Sequence, residues 1–249
     1  MDATETTLDD FLGGRLRLRQ PRRGFRSGQD AVFLAAAVPA RPGESALELG
    51  CGAGAAILCL GRRVPGLSLT GFEVQAGYVA LAQENAARSG LPLEVIEGDV
   101  EAPPPALGGR AFDQVLLNPP YYDRAASTRA KDAGRDLAHG GAAPLSAWLA
   151  LAARRLRSGG MLTLIQRTAR LPEVLAGLPG TMGAAELRPL APRMGAPPAT
   201  FLLRARKGGR SPFRLLPPLE VHGTPQPDGK SFAPWAAAVL RDGAALPWP

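Results

Sequence analysis

Asn118-Pro119-Pro120-Tyr121 is the segment of this chain best equipped for chemistry. It follows Phe112–Leu117, an apolar run with the length and flanks of a short buried strand. An amide oxygen, a backbone carbonyl held between two proline rings and an aromatic face would meet at the end of that strand. That combination suits a flat, nitrogen-bearing group presented for methylation. The amide oxygen and the carbonyl can each accept one N–H and so aim the nitrogen lone pair. Proline restriction holds both acceptors in advance, and the tyrosine can stack on the ring. Asn118, Pro119, Pro120 and Tyr121 are therefore the candidate catalytic residues.

Upstream lies Glu48-Leu49-Gly50-Cys51-Gly52-Ala53-Gly54, between a predicted strand, Ser45–Leu49, and a predicted helix, Ala53–Arg63. Glycines there permit a tight turn and close approach of a ligand to the backbone. Gly50-x-Gly52-x-x-Ala55 also satisfies the loose dinucleotide fingerprint, so the turn alone leaves a nicotinamide cofactor open. Glu73, at the end of a predicted strand Leu67–Glu73, stands nineteen positions past Gly54 and can accept bonds from both hydroxyls of a ribose. Asp99, after a third strand Pro92–Glu97, breaks the tie in part by resemblance: in S-adenosylmethionine enzymes an acid there accepts from the adenine amino group. A sulfonium cation calls for acids nearby, and Glu48 and Asp30 are the ones available. The candidate cofactor residues are thus Asp30, Glu48, Gly50, Gly52, Gly54, Glu73, Asp99 and, shared with the acceptor site, Asn118.

These residues need a scaffold that brings strand ends together. Apolar runs alternate with helical patterns: Ala76–Ser89 as a helix stopped by Gly90, Glu101–Gly109 as a Pro/Gly-rich loop, Pro144–Leu156 as a helix and Gly160–Gln166 as a fifth strand. The order predicts an α/β fold, a doubly wound and mostly parallel sheet. Ala169–Gly177 reads as a short helix, and Glu186–Leu190 with Thr200–Ala205 as a C-terminal antiparallel hairpin around the Ala191–Pro198 loop. Arg210–Gly223 would extend that hairpin, and Pro225–Pro249 would wrap the core. Before the core, residues 1–14 read as a loose leader and Ser27–Val38 as a helix capped by Ser27, with Asp30 favourable in its first turn. The predicted organisation is a basic N-terminal segment with its helix over 1–40, a main domain over 41–223 and a tail over 224–249.

The chain has 249 residues, a formal charge of +7 and a calculated isoelectric point near 10.2. One α/β domain with a full core fits that length, and the charge makes an anionic partner plausible. Six arginines lie between Arg15 and Arg26. A second basic group is Arg204, Arg206, Lys207, Arg210 and Arg214. Arg124, Arg129, Lys131 and Arg135 follow Tyr121 directly. Leu16 and Leu18 alternate with Arg17 and Arg19, a two-residue period that suggests a β-ribbon. The two cysteines, Cys51 and Cys59, have no zinc spacing, and no metal site is expected. No run reaches the roughly 18 apolar residues of a membrane span, and Met1–Asp10 is acidic where a signal peptide would be apolar, so a cytoplasmic protein is expected. His139 and His222 belong to no acid–nucleophile arrangement. Trp148 reads as packing, while Phe25 and Phe33 fit either pocket or core.

Motif order adds a resemblance. The opening stretch Gly24–Ala37, the glycine turn, Glu73, Gly98-Asp99, Asn118–Tyr121, Lys207-Gly208-Gly209-Arg210 and Pro217-Pro218-Leu219 together resemble a bacterial family of tRNA-Val adenine-N6 methyltransferases, over about Leu8 to Val221. The resemblance implies a Rossmann-like class I methyltransferase fold with S-adenosylmethionine as donor. It further implies N6-methyladenine next to the anticodon as product, and the tRNA anticodon stem-loop as partner. Under it, Asn118–Tyr121 would form the base pocket, and Gly50, Gly52, Glu73 and Asp99 would hold the donor. Two other enzyme readings share the Asn-Pro-Pro-Tyr loop: protein glutamine N5-methyltransferases and ribosomal guanine-N2 methyltransferases. Those relatives usually carry a helical domain or a duplicated domain, for which this chain shows no room. A non-catalytic RNA-binding module and a nicotinamide reductase account for fewer of the residues.

Overall fold

The computed structural model describes residues 5–120, 143–223 and 231–249. Its first element corrects the expectation of a loose leader. Strand β1 (Thr6–Phe11) pairs antiparallel with β2 (Leu16–Pro21), Thr6 opposite Pro21 and Phe11 opposite Leu16. Leu16, Leu18 and Gln20 turn inward, and Arg17 faces out. Charge joins the two strands: Arg17 meets Asp10 at 3.2 Å, and Arg26 meets Asp9 at 2.6 Å. The acidic leader is thus the electrostatic complement of the arginine-rich segment after it. Asn85 fastens the ribbon to the core. It accepts from the Arg19 N–H at 2.7 Å and donates to the Arg19 and Ala53 carbonyls, each at 2.9 Å.

Helix α1 (Gln29–Ala37) is buried from Ala31 onward. Ser27 does not cap it. Gly28 stands at the N-cap with no side-chain cap bond, because Ser27 exchanges two backbone bonds with the Gln20 amide. The core then runs β3 (Ser45–Leu49), α2 (Ala55–Arg63), β4 (Ser68–Glu73), α3 (Ala76–Ser89), β5 (Leu93–Glu97), β6 (Phe112–Leu117), α4 (Leu145–Arg155), β7 (Leu156–Arg167), α5 (Leu171–Gly177), β8 (Met182–Ala191) and β9 (Thr200–Lys207). Each lies within a few residues of its predicted span, apart from β7 and β8, which start about four residues earlier.

Among the described residues nine strands form the main sheet. Two short ones, β10 (Arg214–Leu215) and β11 (Leu219–Glu220), both pair with β8; the strand order is β10-β8-β9-β7-β6-β3-β4-β5, with β11 off this path. From β5 to β7 the neighbours are parallel, and β9 runs antiparallel between β7 and β8. Side chains alternate between two buried clusters on the two faces of the sheet. Ala46, Leu116, Ile165 and Leu202 join the cluster of α1 and α2; Leu47, Val115, Leu117, Leu164 and Leu203 join that of α4. The tail closes over the first cluster. Trp235 lies 5.4 Å from Phe33 between ring centres, and the Leu246 N–H donates to the Ala36 carbonyl at 2.9 Å. Trp248 carries the Arg204 guanidinium 3.9 Å from its ring centre.

One feature of the topology positions the site. The chain winds outward from β3 to β5 and returns to β6 on the other flank of β3. Leu49 and Leu117 are register partners there. The glycine turn and the Asn118 loop therefore leave adjacent strand ends at the switch point, where open α/β sheets bind ligands.

Candidate active site

Gly50 and Gly52 both have left-handed backbone, with φ of 69° and 53°. A Cβ on Gly50 would also lie 2.9 Å from the Trp148 ring, so glycine is needed for space as well as conformation. The Phe72 carbonyl fixes the turn by accepting from the Gly50 and Cys51 N–H groups at 2.7 and 3.0 Å. Phe25 borders Gly52 from the N-terminal side, and its carbonyl accepts from the Tyr78 hydroxyl at 2.9 Å. Phe25 thus lies beside the turn, whereas Phe33 is core. Cys59 is core too, and burial pushes its thiol well above its usual range.

The acids of the turn are held by the backbone. Glu73 Oε2 accepts from the Gly52 N–H at 2.9 Å, and Oε1 accepts from Val74 and Gln75 at 3.0 Å each. Burial raises the Glu73 carboxyl above the ordinary carboxylate range, against those three bonds. Glu48 Oε2 accepts from the Ile57 N–H at 2.8 Å and so serves the first turn of α2. Burial also raises Glu48 well above its ordinary value; the Ile57 bond opposes this and the nearby Glu73 adds to it. A carboxylate has about four lone-pair sites, so Glu73 keeps one for a hydroxyl. Two buried carboxyl groups beside a glycine turn also complement a cationic ligand, whose charge would favour their ionised forms. The donor set fits S-adenosylmethionine. Asp99 is exposed beyond β5, where its Oδ1 accepts from the Glu101 N–H at 2.9 Å. Asp30 sits in the first turn of α1, five residues beyond Phe25.

Across the switch point, Asn118 Oδ1 is buried and has no hydrogen-bond partner among the described residues. The Pro119 carbonyl accepts from Gln166 Nε2 at 3.2 Å, so one of its two lone pairs is taken and one remains. The Pro120 carbonyl accepts from Arg170 Nη1 at 2.5 Å, and the same guanidinium grips Glu173. Sequence reasoning missed Gln166 and Arg170. The signal for Gln166 is a polar residue ending the buried run Leu162–Ile165. Tyr121, His139 and the basic residues Arg124, Arg129, Lys131 and Arg135 lie outside the described residues.

The two remaining basic groups are largely committed within the fold. Arg15, Arg17, Arg19 and Arg26 form ion pairs with Asp242, Asp10, Glu84 and Asp9. Arg204 donates to the Ala37 carbonyl, Arg206 to Gly159 and Lys207 to Leu156, while Arg214 pairs with Glu186. His222 stacks on Phe232.

Residues 28–186 match the family model of the methyltransferase small domain. The chain belongs to that family. Its fold is the Rossmann-like fold of S-adenosylmethionine-dependent methyltransferases. A solved predicted O-methyltransferase of Agrobacterium tumefaciens shares it with a TM-score of 0.71 and 28% identity, covering 88% of this chain and 98% of that one. The release factor glutamine methyltransferase of Deinococcus radiodurans is 35% identical over 153 residues, 57% of this chain and 52% of that protein. The ribosomal RNA small subunit methyltransferase C of Alcanivorax borkumensis is 34% identical over 125 residues, 50% of this chain and 32% of that protein. The chain thus spans about half and about a third of these two relatives. Their names match the two alternative readings of the Asn118 loop more than the tRNA adenine reading. Among the described residues, no helix is long and apolar enough to cross a membrane.

Proposed function

We propose that this chain transfers the methyl group of S-adenosylmethionine to a planar nitrogen held between Asn118 Oδ1 and the Pro119 carbonyl. The observation that carries this reading is the buried Asn118 oxygen without a partner among the described residues, next to the glycine turn. An unpaired buried acceptor costs roughly 1–3 kcal/mol, which an incoming N–H would recover. The bound cofactor supplies an electrophilic methyl carbon on a positively charged sulfur.

Asn118 and Pro119 then do the protein's share. Each accepts one N–H of the acceptor group, which turns the nitrogen lone pair out of conjugation and towards the methyl carbon. With the donor held by the glycine turn and Glu73, an N–C bond would form as its S–C bond broke, that electron pair staying on sulfur. Positive charge growing on nitrogen strengthens both hydrogen bonds in the transition state. The methylated nitrogen is acidic and gives its extra proton to water, so no strong general base is required. Glu73 is assigned to the ribose, Asp99 to the adenine amino group, Asp30 to the methionine end and Tyr121 to stacking on the acceptor. Glu48 supports the turn from beneath.

For the acceptor, the motif order and the +7 charge support a base amine in RNA, first the N6 of an adenine in tRNA. Arg22, Arg23 and Arg210 are exposed and have no ion-pair partner among the described residues, which suits phosphate contacts. A second reading, the glutamine amide of a release factor, is favoured by the Deinococcus relative and by the hydrogen bonds and ion pairs that engage most described arginines within the chain. The Alcanivorax relative likewise supports a base in small-subunit ribosomal RNA. Radiolabelled S-adenosylmethionine, offered with unmodified tRNA, small-subunit ribosomal RNA and a release factor in separate reactions, decides among them. N6-methyladenosine from tRNA is the result expected on the first reading. Labelled methylglutamine establishes the second, and methylguanosine from ribosomal RNA replaces both.

A further inference from the structure

Both proline carbonyls of the Asn118 loop are held from the far end of β7 and the turn that follows it. Gln166 is fully buried, and its amide can be oriented only one way. Its Oε1 accepts from the Arg167 backbone N–H at 2.8 Å, a group that can only donate. The NH2 of Gln166 must therefore face the Pro119 carbonyl, where it lies 3.2 Å away. One residue on, the Pro120 carbonyl takes Arg170 Nη1, and Glu173 fixes that guanidinium through two further bonds of 2.8 and 2.6 Å. In this corner Asn118 Oδ1 is a buried side-chain oxygen with no hydrogen-bond partner among the described residues.

A buried glutamine at a strand end is costly unless both halves of its amide are bonded. Here one half is spent on its own neighbour and the other on the carbonyl that is to receive the acceptor. Occupying one lone pair of the Pro119 oxygen fixes the direction of the second. We infer that Gln166 is a positioning residue for methyl transfer: it orients the Pro119 carbonyl so that its free lone pair and Asn118 Oδ1 converge on the two N–H bonds of one planar nitrogen. Arg170 steadies the following carbonyl and with it the entry to the loop. The inference rests on the reading of nitrogen methylation above and adds a residue that acts through the backbone, without touching the acceptor.

The test compares wild type, Gln166→Leu and Gln166→Glu with radiolabelled S-adenosylmethionine and whichever of tRNA, ribosomal RNA or release factor the wild type labels. Cofactor affinity and melting temperature are measured in parallel. Gln166→Leu should lower kcat about 10- to 100-fold, because near-attack geometry is lost, while acceptor KM and cofactor Kd stay within about two-fold. Gln166→Glu turns a donor into a group that donates only when protonated. Its rate should climb towards wild type as the pH is lowered, and the leucine variant should show no such recovery. Wild-type kcat in Gln166→Leu, or a wild-type pH profile in Gln166→Glu, overturns the positioning role. So does a parallel loss of kcat and cofactor affinity, which would mark a merely structural residue. A wild type that labels no acceptor overturns the nitrogen-methylation reading and this inference with it; an active wild type with indifferent variants overturns the inference alone.

Discussion

The glycine turn and the Asn118 loop leave neighbouring strand ends, yet they treat their polar groups in opposite ways. At the turn the acids are engaged: Glu73 by three backbone N–H groups and Glu48 by the first turn of α2. At the loop the carbonyls of Pro119 and Pro120 are held by Gln166 and Arg170, and the Asn118 oxygen has no partner among the described residues. The cofactor half of the site is thus a self-supporting backbone structure. The acceptor half keeps open acceptor capacity at Asn118 Oδ1 and at one lone pair of the Pro119 carbonyl, among the described residues. Mutations at the turn should act on stability and cofactor affinity together, while mutations at the loop should act on turnover.

Gly50→Ala should break the turn hardest. Left-handed backbone costs a Cβ-bearing residue about 1–2 kcal/mol, and the 2.9 Å approach to Trp148 adds overpacking of roughly 1–3 kcal/mol. Thermal unfolding should show a clear drop in Tm, and calorimetric titration a matching loss of cofactor affinity. Adding Trp148→Leu should recover the packing share only. Glu73→Ala removes a multiply bonded carboxyl and should weaken cofactor binding about 10- to 100-fold, since a hydrogen bond to a charged group is worth about 1.5–3 kcal/mol. Unchanged affinity would remove the ribose assignment.

Glu48→Gln sharpens the comparison through pH. The folded carboxyl titrates above its unfolded value, so its contribution is present at low pH and is lost as pH rises through the folded value. Glutamine can still accept from Ile57 and does not titrate. The variant should match wild type in Tm near about pH 5 and exceed it near about pH 8, both without cofactor. A wild-type pH profile in the variant would mean that Glu48 carries no such burden. The smallest effect is expected far from the turn. Arg22→Ala with Arg23→Ala should reduce the salt dependence of RNA binding by up to about one unit of slope per lost phosphate contact. Arg17→Ala should change it less, because Arg17 already serves Asp10. Equal effects from paired and unpaired arginines would show that the ion pairs open on binding.

The alternation of strands and helices was legible because each strand is a short apolar run bounded by Gly, Pro or Asp, and each long helix ends on a recognisable stop such as Gly90. The adjacency of Gly50 and Asn118 followed from that order. Strand β1 was not legible. Thr6–Phe11 lacks apolar alternation, and its order comes from arginines up to nineteen positions away. The Ser27 cap failed for a similar reason, because Gln20 reaches it first. The arginines looked like a surface for an anionic partner, and most of the described ones are hydrogen-bonded or ion-paired within the chain. Gln166 and Arg170 escaped notice because their importance lies in where β7 ends relative to β6, which no local pattern reports.

The central claim is that Asn118 Oδ1 receives the acceptor nitrogen. Its most direct test is the single-turnover methyl-transfer rate of Asn118→Ala beside its cofactor Kd, with the wild-type product identified by mass spectrometry. Methyl on nitrogen is expected, with a rate reduced at least about 100-fold as for loss of a preorganised transition-state contact and a Kd within about two-fold of wild type. Methyl on oxygen or carbon, or an alanine variant that turns over like wild type, would contradict it.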